Sequence, residues 1–306
     1  MKPKSIPTLS ILLIFTVLGS TLILSLTPVF ATNPACGATI KKNTTLTGNI
    51  GPCSTFGLVI GVNGITLNCA GHTISGTGTS DGISLGGSTG VTVKNCKVTG
   101  FAVGFVLPSS LASGNTLTGN TANNNVVYGF YIYGASGNTL TGNTANSNGF
   151  YGFHLYSSSK NTLTGNTANN NVHLGFLLTG ISSTGSSSNT LTGNTANSNG
   201  YDGFYLESSS KNNKLTGNTA NNNGYDGFYL TGSSGNKLKG NTANSNTQYG
   251  YFDNTISSSA GVPHWDTGNS YGTTVAKLSA TGDKGTGNGS GLAGGNPNIL
   301  TATSPF

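Results

Sequence analysis

Arginine is absent from all 306 residues, and charged residues of any kind make up only 7% of the chain. Nucleic-acid-binding proteins usually carry a dense basic face and use arginine for bidentate contacts with phosphates and bases. Here the net charge of +6 is spread thinly over the whole sequence. The composition therefore argues against a nucleic-acid partner.

Helical patterning is also missing after the first 31 residues. Apolar residues do not recur there at helical spacing, and the abundant Gly and Asn disfavour helices. Gly, Asn, Ser and Thr dominate, which is a composition typical of disordered chains. A regular internal repeat, described below, indicates a folded structure instead.

The first residues resemble an export signal. Lys2 and Lys4 precede an apolar run from Ile11 to Leu26, and Val29-Phe30-Ala31 supplies a small-residue cleavage pattern. This predicts a signal peptide over residues 1–31 and a secreted or cell-surface mature chain. The alternative is an uncleaved membrane anchor, although the run is shorter than the ~20 residues a spanning helix needs. No later segment is apolar enough to span a bilayer after processing.

The phrase N-T-L-T-G-N-T-A-N recurs with small variations at intervals of 23, 23, 28, 24 and 23 residues. Its leucines are Leu117, Leu140, Leu163, Leu191, Leu215 and Leu238. A second phrase, Gly-Phe followed by an apolar residue two positions later, has its aromatics at Phe105, Phe130, Phe153, Phe176, Phe204, Phe228 and Tyr251, with Ile83 and Leu58 in the same slot upstream. The repeat predicts about nine structural units between Leu58 and Tyr251.

Each unit alternates apolar and polar residues in short runs broken by Gly, Asn and Ser, which is typical of β-strands. Such short strands must pair with the same strand one unit later, and parallel crossovers are right-handed. The sequence therefore predicts an all-β, right-handed single-stranded parallel β-helix of about nine coils. We expect an N-terminal cap over 32–57, the coils over 58–255, and a C-terminal cap with a flexible tail over 256–306.

The repeated side chains predict the interior of the β-helix. The Phe and Leu series form two stacked columns, and alanines such as Ala145 form a third, narrow wall. Asparagines at Asn120 and Asn125, and at the same slots in later coils, suit turns and can stack their amides along the axis. We interpret them as structural.

The four cysteines are Cys36, Cys53, Cys69 and Cys96. An even number in an exported chain indicates disulfides, and the absence of C-x-x-C spacing argues against a metal site. Three pairings are available. We favour Cys36–Cys53 together with Cys69–Cys96, because 27 residues approximate one coil.

The segments Gly64–Gly76 and Gly90–Cys96, with the repeat after them, resemble the NosD-like parallel β-helix proteins. The resemblance covers about residues 36 to 255. That group includes periplasmic copper-accessory proteins of nitrous-oxide reductase maturation and many surface proteins. The resemblance implies the fold and leaves the function open, because this architecture carries lyases, hydrolases, adhesins and scaffolds.

An enzyme of the polysaccharide lyase or glycoside hydrolase type is the alternative function. The acids are Asp81, Asp202, Glu207, Asp226, Asp253, Asp266 and Asp283. Asp202 and Asp226 share a slot in neighbouring coils, so we expect them about 5 Å apart, within the range of a hydrolytic pair. Aspartate is also ordinary at a turn into a strand. The motif sets of pectin hydrolases and the arginine base of related lyases are missing.

A metal or other cofactor is not expected. His72, His154, His173 and His264 share no repeat column, so we expect isolated surface or turn histidines.

The outward position of the Gly-Phe strand predicts a binding stripe. Its residues are Ser84, Val106, Tyr131, His154, Leu177, Tyr205, Tyr229 and Phe252. Exposed rings are good platforms for sugars, so Tyr131, His154, Tyr205, Tyr229 and Phe252 are the candidate binding residues. The alternative is that loops or the tail cover this face.

Threonine rows flank the leucine column and resemble the ice-binding faces of some antifreeze proteins. Lys214, Lys237 and Lys239 interrupt these rows, and threonine is also a favourable exposed strand residue. The favoured hypothesis is a non-catalytic secreted or cell-surface protein that binds an extracellular polysaccharide or a surface partner, with self-association as a further option. His264-Trp265-Asp266 are expected to cover the C-terminal end of the coils.

Overall fold

The computed structural model describes residues 15–17, 20–22, 33–181, 184–254 and 270–271. Residues 1–32 form one unit, in which Phe15–Val17 pairs antiparallel with Ser20–Leu22. The expected cleavage site after Ala31 lies outside the described residues. Among those described, there is no helix long and apolar enough to cross a membrane.

The described residues from 33 onward form a parallel β-solenoid of about nine turns, as predicted. One ten-stranded sheet, here the aromatic sheet, carries the Gly-Phe strands. Its strands are Ala38–Ile40, Leu58–Ile60, Asp81–Ser84, Val103–Leu107, Tyr128–Tyr133, Tyr151–Tyr156, Phe176–Thr179, Phe204–Leu206, Phe228–Thr231 and Tyr251–Asn254. Each pairs in parallel with the next, so every coil adds one strand.

A second ten-stranded sheet, the threonine sheet, carries the leucine column. Its strands are Thr44–Thr45, Thr66–Asn68, Thr92–Lys94, Thr116–Thr118, Thr139–Thr141, Thr162–Thr164, Thr190–Thr192, Lys214–Thr216, Lys237–Lys239 and Ser270–Tyr271. A third, short sheet contains Ile50–Cys53, Thr73–Gly76, Lys97–Thr99 and Thr121–Ala122. Single parallel bridges from Thr121 to Thr242 continue it along the later coils.

The core consists of the predicted columns. The rings from Phe105 to Phe228 stack face to face at centroid distances of 4.6 to 4.8 Å, within 6° of parallel. Tyr251 ends the column, and its hydroxyl donates a hydrogen bond to the Asn241 carbonyl. The leucine and alanine columns are fully buried beside it. The ring spacing equals the strand spacing. The register that pairs the backbones of neighbouring strands therefore also stacks the rings of the core.

Glycine precedes each core phenylalanine because the alanine wall lies directly against it. A Cβ on Gly152 would lie 2.6 Å from the Ala168 Cβ and 2.8 Å from the Gly175 carbonyl oxygen. Neither backbone atoms nor a buried methyl can yield that space. The glycine of each Gly-Phe phrase therefore packs directly against the alanine of a Thr-Ala phrase.

Three asparagine columns run along the interior, one more than the two slots singled out above. They are Asn115, Asn138, Asn161, Asn189, Asn213 and Asn236; Asn120, Asn143, Asn166, Asn194, Asn218 and Asn241; and Asn125, Asn148, Asn171, Asn199, Asn223 and Asn246. The structural role assigned to these residues agrees with the hydrogen bonding. The left-handed backbone, however, falls on neighbouring residues such as Asn124 and Ser147.

Asn143 shows how one amide joins three coils. Its Oδ1 accepts from the Asn120 backbone N–H and Asn120 Nδ2, both at 3.0 Å. Its Nδ2 donates to the Leu117 carbonyl at 2.9 Å and to Asn166 Oδ1 at 3.0 Å. An amide can accept two hydrogen bonds and donate two, so this buried group is fully satisfied.

Both predicted disulfides are present. Cys36–Cys53 closes the N-terminal end, and Cys69–Cys96 joins neighbouring coils. Residues 38–53, assigned to a cap, already contribute strands to all three sheets. Pro52 lies in the edge strand of the short sheet, where a missing N–H costs no ladder hydrogen bond.

At the other end, Ser270–Tyr271 pairs with Lys237–Leu238 and extends the threonine sheet. His264-Trp265-Asp266, expected to cover this end, lie outside the described residues.

We expect Asn143→Ala to lower the free energy of unfolding by at least about 3 kcal/mol, because it leaves several buried donors and acceptors unpaired. Asn146→Ala is the control, since Asn146 lies in a half-buried outer column and accepts the Asn169 N–H within reach of water. Denaturant unfolding measures both. Equal losses from the two variants would contradict the role given to the inner amides.

Candidate functional site

The outer face of the aromatic sheet carries the predicted stripe in the expected register. Tyr131 pairs with His154, followed by Leu177, Tyr205, Tyr229 and Phe252 in successive strands. The side chains of this column therefore lie one above another along the axis.

The expectation of an exposed ring at each of these positions is wrong for His154. Only 6% of this residue is exposed, because Tyr128, Tyr131 and Tyr151 surround the imidazole at centroid distances of 5.1 to 5.3 Å. Burial lowers the pKa of His154 to about 4, and neither ring nitrogen has a hydrogen-bond partner. His154 is thus a buried histidine rather than a surface one. Leu177 is buried as well.

A second aromatic column, not identified in the sequence, runs along the turn before the aromatic sheet. Phe150, His173, Tyr201 and Tyr225 stack at 4.8 to 4.9 Å with rings within 4° of parallel. Phe150, Tyr201 and Tyr225 are each more than 40% exposed. The signal was available, since each lies two residues before the glycine of the Gly-Phe phrase.

A groove of about 350 Å³ lies between the C-terminal halves of these two columns. Tyr201 and Tyr225 form one wall, and Tyr205 and Tyr229 the other. The complete lining is Tyr201, Asp202, Tyr205, Tyr225, Asp226, Tyr229, Gln248, Tyr249 and Phe252. Three predicted binding residues and both candidate acids therefore meet in one groove, while Tyr131 and His154 lie outside it.

The stacking decides which part of each ring is available. Tyr201 lies against Tyr225, and Tyr205 against Tyr229 at 4.8 Å, so these faces are used within the walls. Ring edges and hydroxyls therefore line most of the groove. The stack ends at Tyr225, because the next residue of that column is Gln248, so no described ring covers its second face. Phe252 is tilted by 52° from Tyr229.

Asp202 and Asp226 form the floor. Asp202 Oδ1 accepts the Asp226 backbone N–H at 2.8 Å, and Asp226 Oδ1 accepts the Tyr249 N–H at 2.9 Å. Each carboxyl thus accepts a backbone N–H of the next coil, as the outer asparagine Asn146 does. Both residues are only 6% exposed.

Burial raises the pKa of Asp202 to about 6, against the backbone hydrogen bond from Asp226. Burial and the neighbouring charge of Asp202 raise the pKa of Asp226 to about 7, against the hydrogen bond from Tyr249. The two carboxyls are therefore the groups of the groove that exchange protons near neutral pH. Burial and a hydrogen bond to Glu207 raise the pKa of Tyr205, which keeps its phenol protonated.

Of the other acids whose side chains the structure describes, Asp81 and Glu207 do not line this groove. Asp81 begins a strand near the N-terminal end of the aromatic sheet, and Glu207 lies beside the groove, where its Oε1 accepts a hydrogen bond from the Thr179 hydroxyl at 2.9 Å. The side chains of Asp253, Asp266 and Asp283 lie outside the described residues.

Two family models match the chain. The periplasmic copper-binding protein (NosD) model matches residues 57–184, and the right-handed beta helix region matches residues 170–262. Together they cover residues 57–262 without a gap. The chain is thus similar to the NosD-like right-handed β-helix proteins. Among curated proteins, none matches it.

Solved structures resemble this NosD-like protein in fold. The A-module of the Azotobacter vinelandii mannuronan C-5 epimerase AlgE6 is 19% identical over 71% of this chain and 64% of its own, with a TM-score of 0.58. The periplasmic alginate epimerase AlgG (D317A mutant) is 19% identical over 65% of this chain and 50% of its own, with a TM-score of 0.55. Pectate lyase Pel9A is 16% identical over 83% of this chain and 71% of its own, with a TM-score of 0.52. The NosD-like chain thus spans half to two thirds of the epimerases' length.

The raised pKa values predict a pH-dependent stability. Between the usual aspartate pKa near 3.9 and the folded values of about 6 and 7, the folded chain binds more protons than the unfolded chain. The free energy of unfolding is therefore highest below about pH 4 on this account. It decreases by several kcal/mol in total as pH rises to 7 and beyond, because each pKa unit corresponds to about 1.4 kcal/mol.

Asp202→Asn combined with Asp226→Asn retains the acceptors for both backbone N–H groups and removes the titration. We expect this variant to lose the decrease in stability between pH 4 and 8 in denaturant unfolding. An unchanged pH dependence would contradict the raised pKa values.

Proposed function

We propose that this NosD-like protein binds an uncharged polysaccharide in the tyrosine-walled groove without modifying it. The supporting observation is the groove itself, an open channel along the coils with phenol edges as walls and two carboxyls as floor. Sugars offer hydroxyl donors to carboxyls and phenol oxygens, and apolar ring faces to aromatic carbons. A channel along the axis suits a chain-like ligand.

The charges in and beside the groove favour an uncharged ligand. Asp202 and Asp226 lie on its floor, Glu207 lies beside it, and the lining contains no lysine or histidine. A polymer carrying carboxylates would meet like charges there without a compensating cation. Hydroxyl-rich neutral sugars meet no such penalty.

Binding without chemistry accounts for the aspartates. Each Oδ1 is committed to a backbone N–H of the next coil, and each side chain is almost wholly buried. This arrangement resembles that of the outer asparagine column, in which Asn146 Oδ1 accepts the Asn169 N–H of the next coil. A catalytic carboxyl needs to reach the reacting atoms of the substrate.

A polysaccharide-modifying activity is the second candidate. Two neighbouring carboxyls with pKa values of about 6 and 7 are suited to proton transfer at neutral pH, and they line the same groove. Epimerases of mannuronan and alginate and a pectate lyase share the fold. Their polymers are anionic, which the acidic groove of this chain disfavours.

The residues present do not fit a copper site of the kind that the NosD description implies. In the coils that the structure describes, no three His, Cys, Asp or Glu side chains come together as ligands. His154 is enclosed by tyrosines, His173 is stacked between Phe150 and Tyr201, and the four cysteines are paired. We therefore assign no copper chemistry to this chain.

An exported location goes with this function. Two disulfides favour an oxidising compartment, and the matching NosD family is described as periplasmic. The predicted signal peptide over residues 1–31 agrees with export to the periplasm, the cell surface or the medium.

A glycan array should identify a neutral polysaccharide ligand, and titration calorimetry with that ligand tests the groove. We expect Tyr225→Ala to weaken binding by about 1 kcal/mol or more, because it removes an exposed ring from the groove wall, and Tyr205→Ala with Tyr229→Ala to weaken it further. Phe150→Ala is the matched control. Phe150 ends the same aromatic column with similar exposure, but it lies outside the groove.

Equal weakening by Tyr225→Ala and Phe150→Ala would contradict binding in the groove. New reducing ends, or altered sugar stereochemistry, that disappear in the Asp202→Asn variant would favour the enzyme instead. Absence of glycan binding throughout would leave a protein partner or self-association.

A further inference from the structure

In the coils that contain the groove, acids and lysines lie on different sheets. The acids Asp202, Glu207 and Asp226 lie within three residues of the aromatic-sheet strands Phe204–Leu206 and Phe228–Thr231. The lysines Lys214, Lys237 and Lys239 lie on strands of the threonine sheet. Of the other described lysines, Lys41 directly follows an aromatic-sheet strand at the N-terminal end, and Lys42, Lys94, Lys97, Lys160 and Lys211 lie elsewhere.

Three of these lysines lie together on the threonine sheet. Lys214 pairs directly with Lys237 in the next strand, and Lys239 is two residues beyond Lys237 on the same face. All three side chains are exposed, whereas Leu215 and Leu238 between them point into the core. We name these three residues the lysine row.

The fold itself does not require lysine at these positions. The preceding strand carries Thr190 where the next has Lys214, and Thr216 precedes Lys239 in the same column. Like charges at directly paired positions of a sheet are destabilising, whereas threonine is favourable on an exposed strand. An external anionic partner would offset this cost.

We propose that the lysine row is a second binding surface, which takes a linear acidic polysaccharide. Cations repeated at the strand spacing match a polymer with repeated carboxylates, and the threonine hydroxyls of the preceding strands extend the surface along the axis. From Thr66 to Lys239, the outward residues of the described threonine-sheet strands are Thr, Asn and Lys. A bilayer surface is disfavoured because binding there relies on buried apolar side chains as well as charge.

The two surfaces would then sort polymers by charge. The acidic groove of the aromatic sheet receives neutral chains, and the lysine row receives acidic ones. The second surface stands on the lysine row itself, so it does not depend on the groove binding a glycan.

Titration of the full chain with polygalacturonate at low and at physiological salt tests the proposal. We expect Lys214→Thr, Lys237→Thr and Lys239→Thr together to weaken binding about tenfold or more at low salt, with a smaller loss at higher salt because charge interactions are screened. Threonine is the residue of neighbouring coils, so the variant should fold. The control triple is Lys41→Thr, Lys97→Thr and Lys160→Asn, which removes the same charge outside the threonine sheet using residues found in other coils.

The control triple should bind polygalacturonate within about threefold of the original chain. Neither triple should change the affinity for neutral dextran. Equal weakening by both triples would show that binding depends only on the net charge of the protein, and it would overturn the proposal. So would absence of polygalacturonate binding, or binding to vesicles of phosphatidylserine and phosphatidylcholine in its place.

Discussion

The buried amide of each inner asparagine is satisfied by groups of the neighbouring coils, above all by the same residue one coil away. Asn143 bonds Asn120 on one side and Asn166 on the other. A shift of one residue in any strand would break these bonds in all three columns at once and turn core side chains outward. This constraint fixes the register, and the stacked phenylalanines and the glycine-alanine contact depend on it.

The same register explains how a functional surface arises on so repetitive a chain. Inward positions are held nearly constant, so variation is tolerated only outward and in the turns. At the slot before the Gly-Phe phrase, Tyr151 and Leu174 give way to Asp202 and Asp226. On the outside of the sheet, each of these carboxyls accepts a hydrogen bond from a backbone N–H of the next coil. The tyrosines on either side of them stack into the two walls of the groove. The groove therefore exists only in those coils where these outward positions carry tyrosine and aspartate.

Much of the fold could be predicted because residues that stack in one column recur in the sequence at nearly constant intervals. The phenylalanine and leucine series, the Cys69–Cys96 disulfide and the neighbouring positions of Asp202 and Asp226 all follow from counting residues per coil. Exposure could not be predicted in this way, because it depends on side chains in neighbouring columns. His154 shares its column with Tyr131, yet it is buried because Tyr128 and Tyr151 close over it from the next column.

The orientation of the rings could not be predicted from the sequence pattern either. Alternation shows that Tyr205 and Tyr229 point outward, but it does not show that their faces meet each other and leave edges for a ligand. The column from Phe150 to Tyr225 was missed because it lies in a turn, where the strand alternation does not apply. The groove needs both columns, so it became evident only with the three-dimensional arrangement.

Hydroxyl-radical footprinting with mass spectrometry, in the presence and absence of the neutral glycan selected on the array, tests the central claim most directly. The account predicts protection of Tyr201, Tyr225 and Tyr249 on binding, with Phe150 and Tyr133 unchanged. Protection confined to Phe150, Tyr133 or the threonine sheet, with Tyr225 still fully reactive, would contradict glycan binding in the groove.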